Sequence, residues 1–224
     1  AFFLENVKGL AIHDKGRTLK TILNTLDEVG YVVPEPQIVN AMFFGVPQHR
    51  ERIYIVGFRK DLGLTAEDFS YPEQKEITKK WIDVREENPV PAKYYLSTTY
   101  QQTLINHKAR HAAKGNGFGY DIIPDDGIAH AIVVGGMGRE SNLVIDFRQK
   151  DLTPTTNIKG TVNTDGWRKM TPREWARLQG YPDNFKIVVA DASAYKQFGN
   201  SVAVPAIQAT AAQLLKSLND KNIL

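Results

Sequence analysis

"QHRERIYIVGF", residues 48–58, decides how the chain is read. Its alternation predicts a strand with Ile53 and Ile55 on one side and Gln48, Arg50, Arg52 and Tyr54 on the other. An amide and two guanidinium groups on one face suit a planar, oxygen-bearing or phosphorylated ligand. An exposed strand face with Glu51 neutralising its neighbours fits the same pattern.

Upstream, "YVVPEPQIVN" (31–40) reads as a broken strand that Pro34 and Pro36 confine to an edge or bend. Before it, "RTLKTILNTLDEVG" (17–30) spaces Leu19, Ile22, Leu23, Leu26 and Val29 for a helix, with Gly30 as a left-handed cap. The opening "AFFLENVKG" is a buried-looking strand that ends in an acid and an amide, Glu5 and Asn6. Strand, helix, strand, strand is part of an α/β unit. Downstream, periodicity fades from about Asp61 to Pro91, which places a domain boundary near residue 90.

"LSTTYQQTLINHKARHAAKGNGFGY" (96–120) then offers Ser97 as N-cap, a helix to about Ala113 and Gly115 as its stop. Lys108, Arg110 and Lys114 gather there with two histidines and no acid, and run into Asn116, Phe118 and Tyr120. Cations here suit DNA phosphates, and the glycine-rich loop can approach a groove or a base. A solvated helix face is the other reading. "GGMGRES" (135–141) carries Arg139 but lacks the ending of a phosphate-binding P-loop. In "MTPREWARLQGYP" (170–182), Thr171 and Glu174 form a capping box, Pro172 takes the first helical position and Gly180 stops the helix. "QFGNSV" (197–202) reads as a turn before a helix that runs to about Leu218, where amide donors could receive a carboxylate or phosphate. Asn200 and Ser201 are also ordinary helix caps.

The bulk properties set limits. With 224 residues, 42% apolar and 24% charged, the chain can bury one large core or two small ones, and disordered or collagen-like classes drop out. No apolar run is long enough to cross a bilayer and the N-terminus lacks a secretory pattern, so a cytoplasmic location and no membrane partner are expected. The absence of cysteine removes disulfides, thiolate metal sites and any thiol nucleophile from this chain, and no metal site is expected. A net charge of +3 is only mildly basic, so a nucleic-acid partner has to be argued from local clusters.

Taken in order, "ENV", "VPQHRERIYIVGF", a glycine-rich basic segment, "MTPREWARLQGYP" and "AYKQFGNSV" resemble the C-terminal two-thirds of a bacterial cytosine-5 DNA methyltransferase, over nearly the whole chain. The insert at 94–120 is similar to the recognition region of Dcm-type enzymes, which implies a GC-rich palindromic target. The resemblance implies an incomplete Rossmann-like, mostly parallel α/β sheet from residues 1–88, a smaller irregular target-recognition domain over 89–165, and a return to the catalytic domain over 166–224 with a closing helix. It also implies methyl transfer from S-adenosylmethionine to a flipped cytosine in duplex DNA. Glu5 then carries the acid that hydrogen-bonds N3 as charge builds on the ring, and Asn6 meets the exocyclic amino edge or holds the loop. Arg52 donates to O2, with Gln48 and Arg50 shaping the pocket. Asn200, Ser201 and Val202 are the implied cofactor contacts. Lys108, Arg110, Lys114, Asn116, Phe118, Tyr120 and Arg139 are the implied DNA contacts. Thr171, Arg173, Glu174 and Arg177 are assigned to architecture.

Two family motifs are missing from this sequence: the glycine-rich cofactor loop and the proline-cysteine dipeptide that carries the nucleophile. The chain alone is therefore expected to be inactive, with most of the cofactor site on a missing N-terminal part. That part is either a second subunit or the rest of one polypeptide. A non-catalytic DNA-binding protein or an inactive remnant is the rival reading, and a small-molecule α/β enzyme finds little support without a phosphate-binding loop.

Overall fold

The computed structural model describes residues 1–135, 138–154 and 160–223. In chain order the regular elements are β1 (Phe2–Val7), α1 (Arg17–Glu28), β2 (Tyr31–Val32), β3 (Gln37–Asn40), β4 (Gln48–His49), β5 (Glu51–Arg59), α2 (Thr98–Ala112), β6 (Ala129–His130), β7 (Leu143–Ile145), β8 (Trp167–Lys169), α3 (Pro172–Leu178), α4 (Asp191–Asn200) and α5 (Val204–Asp220), with short 3₁₀ turns between them. They form two compact units. One comprises Ala1–Gly45, Arg50–Ile77 and Ala203–Leu224, the other Val46–His49 and Thr78–Val202.

The first unit is built on β5. β1 pairs along one side of it, and β2 and β3 pair along the other. Pro34 and Pro36, which lack the N–H a ladder needs, account for the break between β2 and β3. Every pairing in this sheet is antiparallel, which corrects the expected mostly parallel sheet. β1 and β3 do run in the same direction, as a crossover through α1 requires. The chain then turns back at residues 41–50 and inserts β5 between them with opposite polarity. Val56, Phe58, Leu64, Phe69 and Leu218 make the core on one face, so α5 closes this unit as expected. Where Phe2 faces Gly57, a Cβ at position 57 would stand 2.3 Å from the ring, so only glycine admits that aromatic side chain.

The second unit packs Trp81, Ile132, Val144, Trp175, Leu178 and Phe198 around α3 and α4. The expected caps are present. Ser97 accepts from the Tyr100 N–H at 3.1 Å, Thr171 and Glu174 close a reciprocal box, and Gly115 and Gly180 take positive φ. Residues 166–202, grouped by the sequence reading with the catalytic part, pack with 78–165 instead. A buried ionic knot holds them there. Arg168 donates to both oxygens of Glu174 at 2.8 Å and to Asp146 at 3.1 Å.

Candidate active site

Strand register assembles the first cluster. Glu5 lies opposite Tyr54 and Val7 opposite Arg52, so Glu5 and Arg52 are diagonal neighbours on one face of the first unit's sheet. Arg52 Nε stands 3.2 Å from Glu5 Oε1, and the two side chains are 15% and 22% exposed, mostly covered yet open to an incoming group. Arg52 also donates to the Glu51 carbonyl at 2.9 Å, which fixes its fork. Arg50, two residues back, is buried. Burial, and then the charge of Arg52, lower its guanidinium to about 10 against the pull of Glu5 and Tyr54, so it still carries its charge at neutral pH. Burial and Glu5 together push the Tyr54 phenol up, so it stays protonated as well. Two cations and one carboxylate converge here, an arrangement that can grip an electron-rich ring edge while the carboxyl group answers a nitrogen.

Not every expected member joins this cluster. Asn6 lies opposite Ile53, so strand alternation puts it on the other face, where its Oδ1 accepts from the Val7 N–H at 2.8 Å. Gln48 is separated from Arg50 because the predicted continuous strand is interrupted there. β4 pairs in parallel with β6 in the second unit. The Gln48 side chain is fully buried. It donates to the Leu178 carbonyl at 2.8 Å and the Gln179 side chain at 3.2 Å, and accepts from the Ile132 N–H at 3.0 Å. The expectation that Gln48 shares a face with Arg50 and Arg52 is corrected on that ground.

"QFGNSV" also sits differently from its reading. Gly199 and Asn200 are the last residues of α4, a helix the sequence reading did not contain, and α5 starts only at Val204. The segment is thus a helix C-terminus, rich in carbonyls, instead of an amide-rich start. Asn200 is exposed, while Ser201 Oγ meets the Tyr181 hydroxyl at 2.6 Å. Gly199 is required by packing, since a Cβ there would stand 2.6 Å from a Val134 methyl and 3.2 Å from its backbone nitrogen.

The expected DNA contacts divide into two groups. Lys108 donates to the Tyr120 carbonyl at 2.9 Å and lies over its ring. Asn116 Oδ1 meets His111 Nδ1 at 2.7 Å, and Tyr120 packs on Trp167. These three build the loop. Arg110, Lys114, Phe118 and Arg139 are exposed, Phe118 at 69%. Gly136 and Met137 of "GGMGRES" lie outside the described residues. Arg173 and Arg177 act as expected of architecture. Arg173 donates to the Phe185 carbonyl at 2.7 Å, and Arg177 pairs with Asp183 at 2.7 Å. Sequence reasoning missed Arg168, Asp146 and Tyr195, since Arg168 meets Asp146 across 22 residues and Tyr195 meets Met170 across 25. Among the described residues no group of three or more His, Asp or Glu side chains is placed to hold a metal, and no helix is long and apolar enough to cross a membrane.

This architecture is shared with solved methyltransferases. Schizosaccharomyces pombe Dnmt2 matches with a TM-score of 0.67 over 97% of this chain and 66% of its own, at 19% identity. The Entamoeba histolytica methyltransferase EhMeth matches with a TM-score of 0.65 over 97% and 62%, at 22% identity. The likeness in sequence is closer. The family model of the C-5 cytosine-specific DNA methylases matches residues 1–216, and the chain belongs to that family. It is 70% identical to the type II methyltransferase M.HpaII of Haemophilus parainfluenzae over 98% of this chain, and 41% identical to M.SsoII of Shigella sonnei, also over 98%. The DNA-cytosine methyltransferase of Escherichia coli K12 is 37% identical over 94%. The chain spans 61%, 54% and 48% of the lengths of these three relatives.

Proposed function

We propose that the chain is part or a subunit of a DNA (cytosine-5-)-methyltransferase of restriction-modification type, acting in the bacterial cytoplasm on a flipped cytosine in duplex DNA. The observation that carries this reading is the Glu5–Arg52 pair, largely covered and flanked by the still-charged Arg50. Glu5 hydrogen-bonds N3 of the cytosine and steadies the charge that builds there. Arg52 donates to O2, and Arg50 keeps the local potential positive. Asn6 steadies the end of β1, and the buried Gln48 braces the second unit, where it bonds Leu178 and Ile132. Because the chain has no cysteine, the attacking thiolate comes from sequence outside it.

S-adenosylmethionine supplies the methyl group. The exposed Asn200 amide, with Ser201 and Val202 beside it, fits one rim of its site, and the rest belongs to the N-terminal part. Residues 1–88 serve the catalytic domain and 89–165 the recognition of DNA, in which Lys108, Asn116 and Tyr120 shape the loop that presents Lys114 and Phe118 beside Arg110 of α2. A Dcm-type recognition region with a GC-rich palindromic target belongs to this proposal.

The test is to fuse the chain behind the N-terminal part of M.HpaII and follow labelled methyl incorporation into duplex DNA. Glu5→Gln is expected to slow transfer by about 10²–10⁴-fold, the usual worth of a positioned acid. A variant as fast as the parent would overturn the role of Glu5. The missing cysteine favours one second reading, a non-catalytic DNA-binding protein. A fusion that binds duplex DNA but transfers no methyl group would support it.

A further inference from the structure

Within the second unit, α4, the end of β8, residues 93–94 and the loop before β7 line an open cationic cavity of about 530 Å³, with Lys93, Tyr94, Arg139, Lys169, Asp191 and Tyr195 around it. A smaller cavity of about 160 Å³ shares Arg139 and Tyr195 and adds Lys196. Lys93 is paired with Asp191 at 2.7 Å and Lys169 with Glu140 at 2.9 Å. Arg139 and Lys196 have no carboxylate within ion-pair distance among the described residues, so two positive charges stay uncompensated. Arg139 is also held in place. Its guanidinium stacks over the Tyr195 ring at 5.2 Å, and Tyr195 is itself buried, edge-on to Trp175 and hydrogen-bonded to the Met170 carbonyl at 2.5 Å. Stacking on a fixed ring costs the guanidinium its freedom in advance and leaves its N–H edge open.

We propose that these two cavities, which share Arg139, together grip one phosphodiester of the DNA backbone, with Arg139 as the fork and Lys196 as the second charge. The inference rests on the methyltransferase reading and adds residues of α4 to the DNA surface. A phosphate fits better than a base edge. Two oxygens match the guanidinium fork. A guanine edge would match it too, but the second uncompensated cation, Lys196, favours an anion over an uncharged base edge, and no asparagine or glutamine lines the cavities to read adenine. Contact here therefore sets register and affinity, while sequence is read elsewhere.

The experiment measures binding of the chain, fused behind the N-terminal part of M.HpaII, to two fluorescent 20-base-pair duplexes of unrelated sequence across a salt series. Arg139→Gln and Lys196→Met are each expected to weaken binding several-fold and equally on both duplexes and to lower the slope of log K against log salt, and the double variant to lower it by about 0.9, the share of one phosphate. Arg139→Lys and Lys196→Arg keep the charge and should restore the slope. Both side chains are exposed, so the variants should keep the parent melting temperature. An unchanged slope in both neutral variants, or a loss confined to one duplex, overturns the phosphate assignment and leaves the methyltransferase reading standing. Absence of duplex binding by the parent fusion overturns both.

Discussion

Arg168, fully buried, satisfies Glu174 and Asp146 at once, and Arg148 adds two side-chain bonds to Asp146 at 2.9 and 2.7 Å and one from its backbone N–H at 3.1 Å. Removing one partner of such a set leaves an uncompensated charge in a dry interior, so Glu174→Ala should cost about 3–5 kcal/mol in urea unfolding. Asp146 adds a pH signature. Burial works to raise its carboxyl, but the hydrogen bonds from Arg148 and the charge of Arg168 outweigh it and bring the group to about 2. A carboxyl depressed in the folded state stabilises above its unfolded value, near 4, and that contribution disappears as pH falls toward 2. Acid titration of stability should steepen in this window, and Asp146→Asn should flatten it. A variant with the parent's acid limb would refute the assignment. The Arg168–Asp146 pair could not be read from sequence, because a segment without periodicity separates the two residues.

At the level of elements, α1, α2, α3 and α5 were legible, from an apolar pattern or a side-chain cap, and α4, which has neither, was not. Thr171, Pro172 and Glu174 wrote the start of α3 into the chain, and the structure has that box. Thr171→Ala should cost about 1 kcal/mol through the cap alone, and more through the lost bond to Glu86, 2.5 Å away. A thermal melt checks it. α4 begins at Ala190 and Asp191 with no side-chain cap, and it anchors on Ala194, Tyr195 and Phe198, too few apolar positions to reveal a helix. Its Gly199 looked like turn chemistry, but its role is to let Val134 approach. Gly199→Ala should therefore destabilise by about 1–3 kcal/mol, although alanine is the better helix former. A more stable variant would mean that Val134 yields freely.

For the molecule as a whole, the first unit leaves apolar surface uncovered. β1 is paired on one side only, with Leu4 and Val7 45% and 54% exposed. α1 buries no residue, although Leu19, Ile22, Leu23 and Leu26 form a clear stripe. Fusing the N-terminal part of M.HpaII to the chain should raise the unfolding temperature and reduce binding of a hydrophobic dye. No change in either would show that this surface is stable in water as it stands.

Local chemistry determined what could be read along the chain: the α1 stripe, the proline break between β2 and β3, the caps of α2 and α3, and the motif order that marks the family. These signals depend on residues within a turn or two of one another. Tertiary structure alone decided the insertion of β5 against β1 and β3, the break that removes Gln48 from the arginine face, the joining of Glu5 to Arg52, and the cationic cavity around Tyr195. Each of these depends on which distant segments pair, and register between strands is set by burying their faces together, which no single segment encodes.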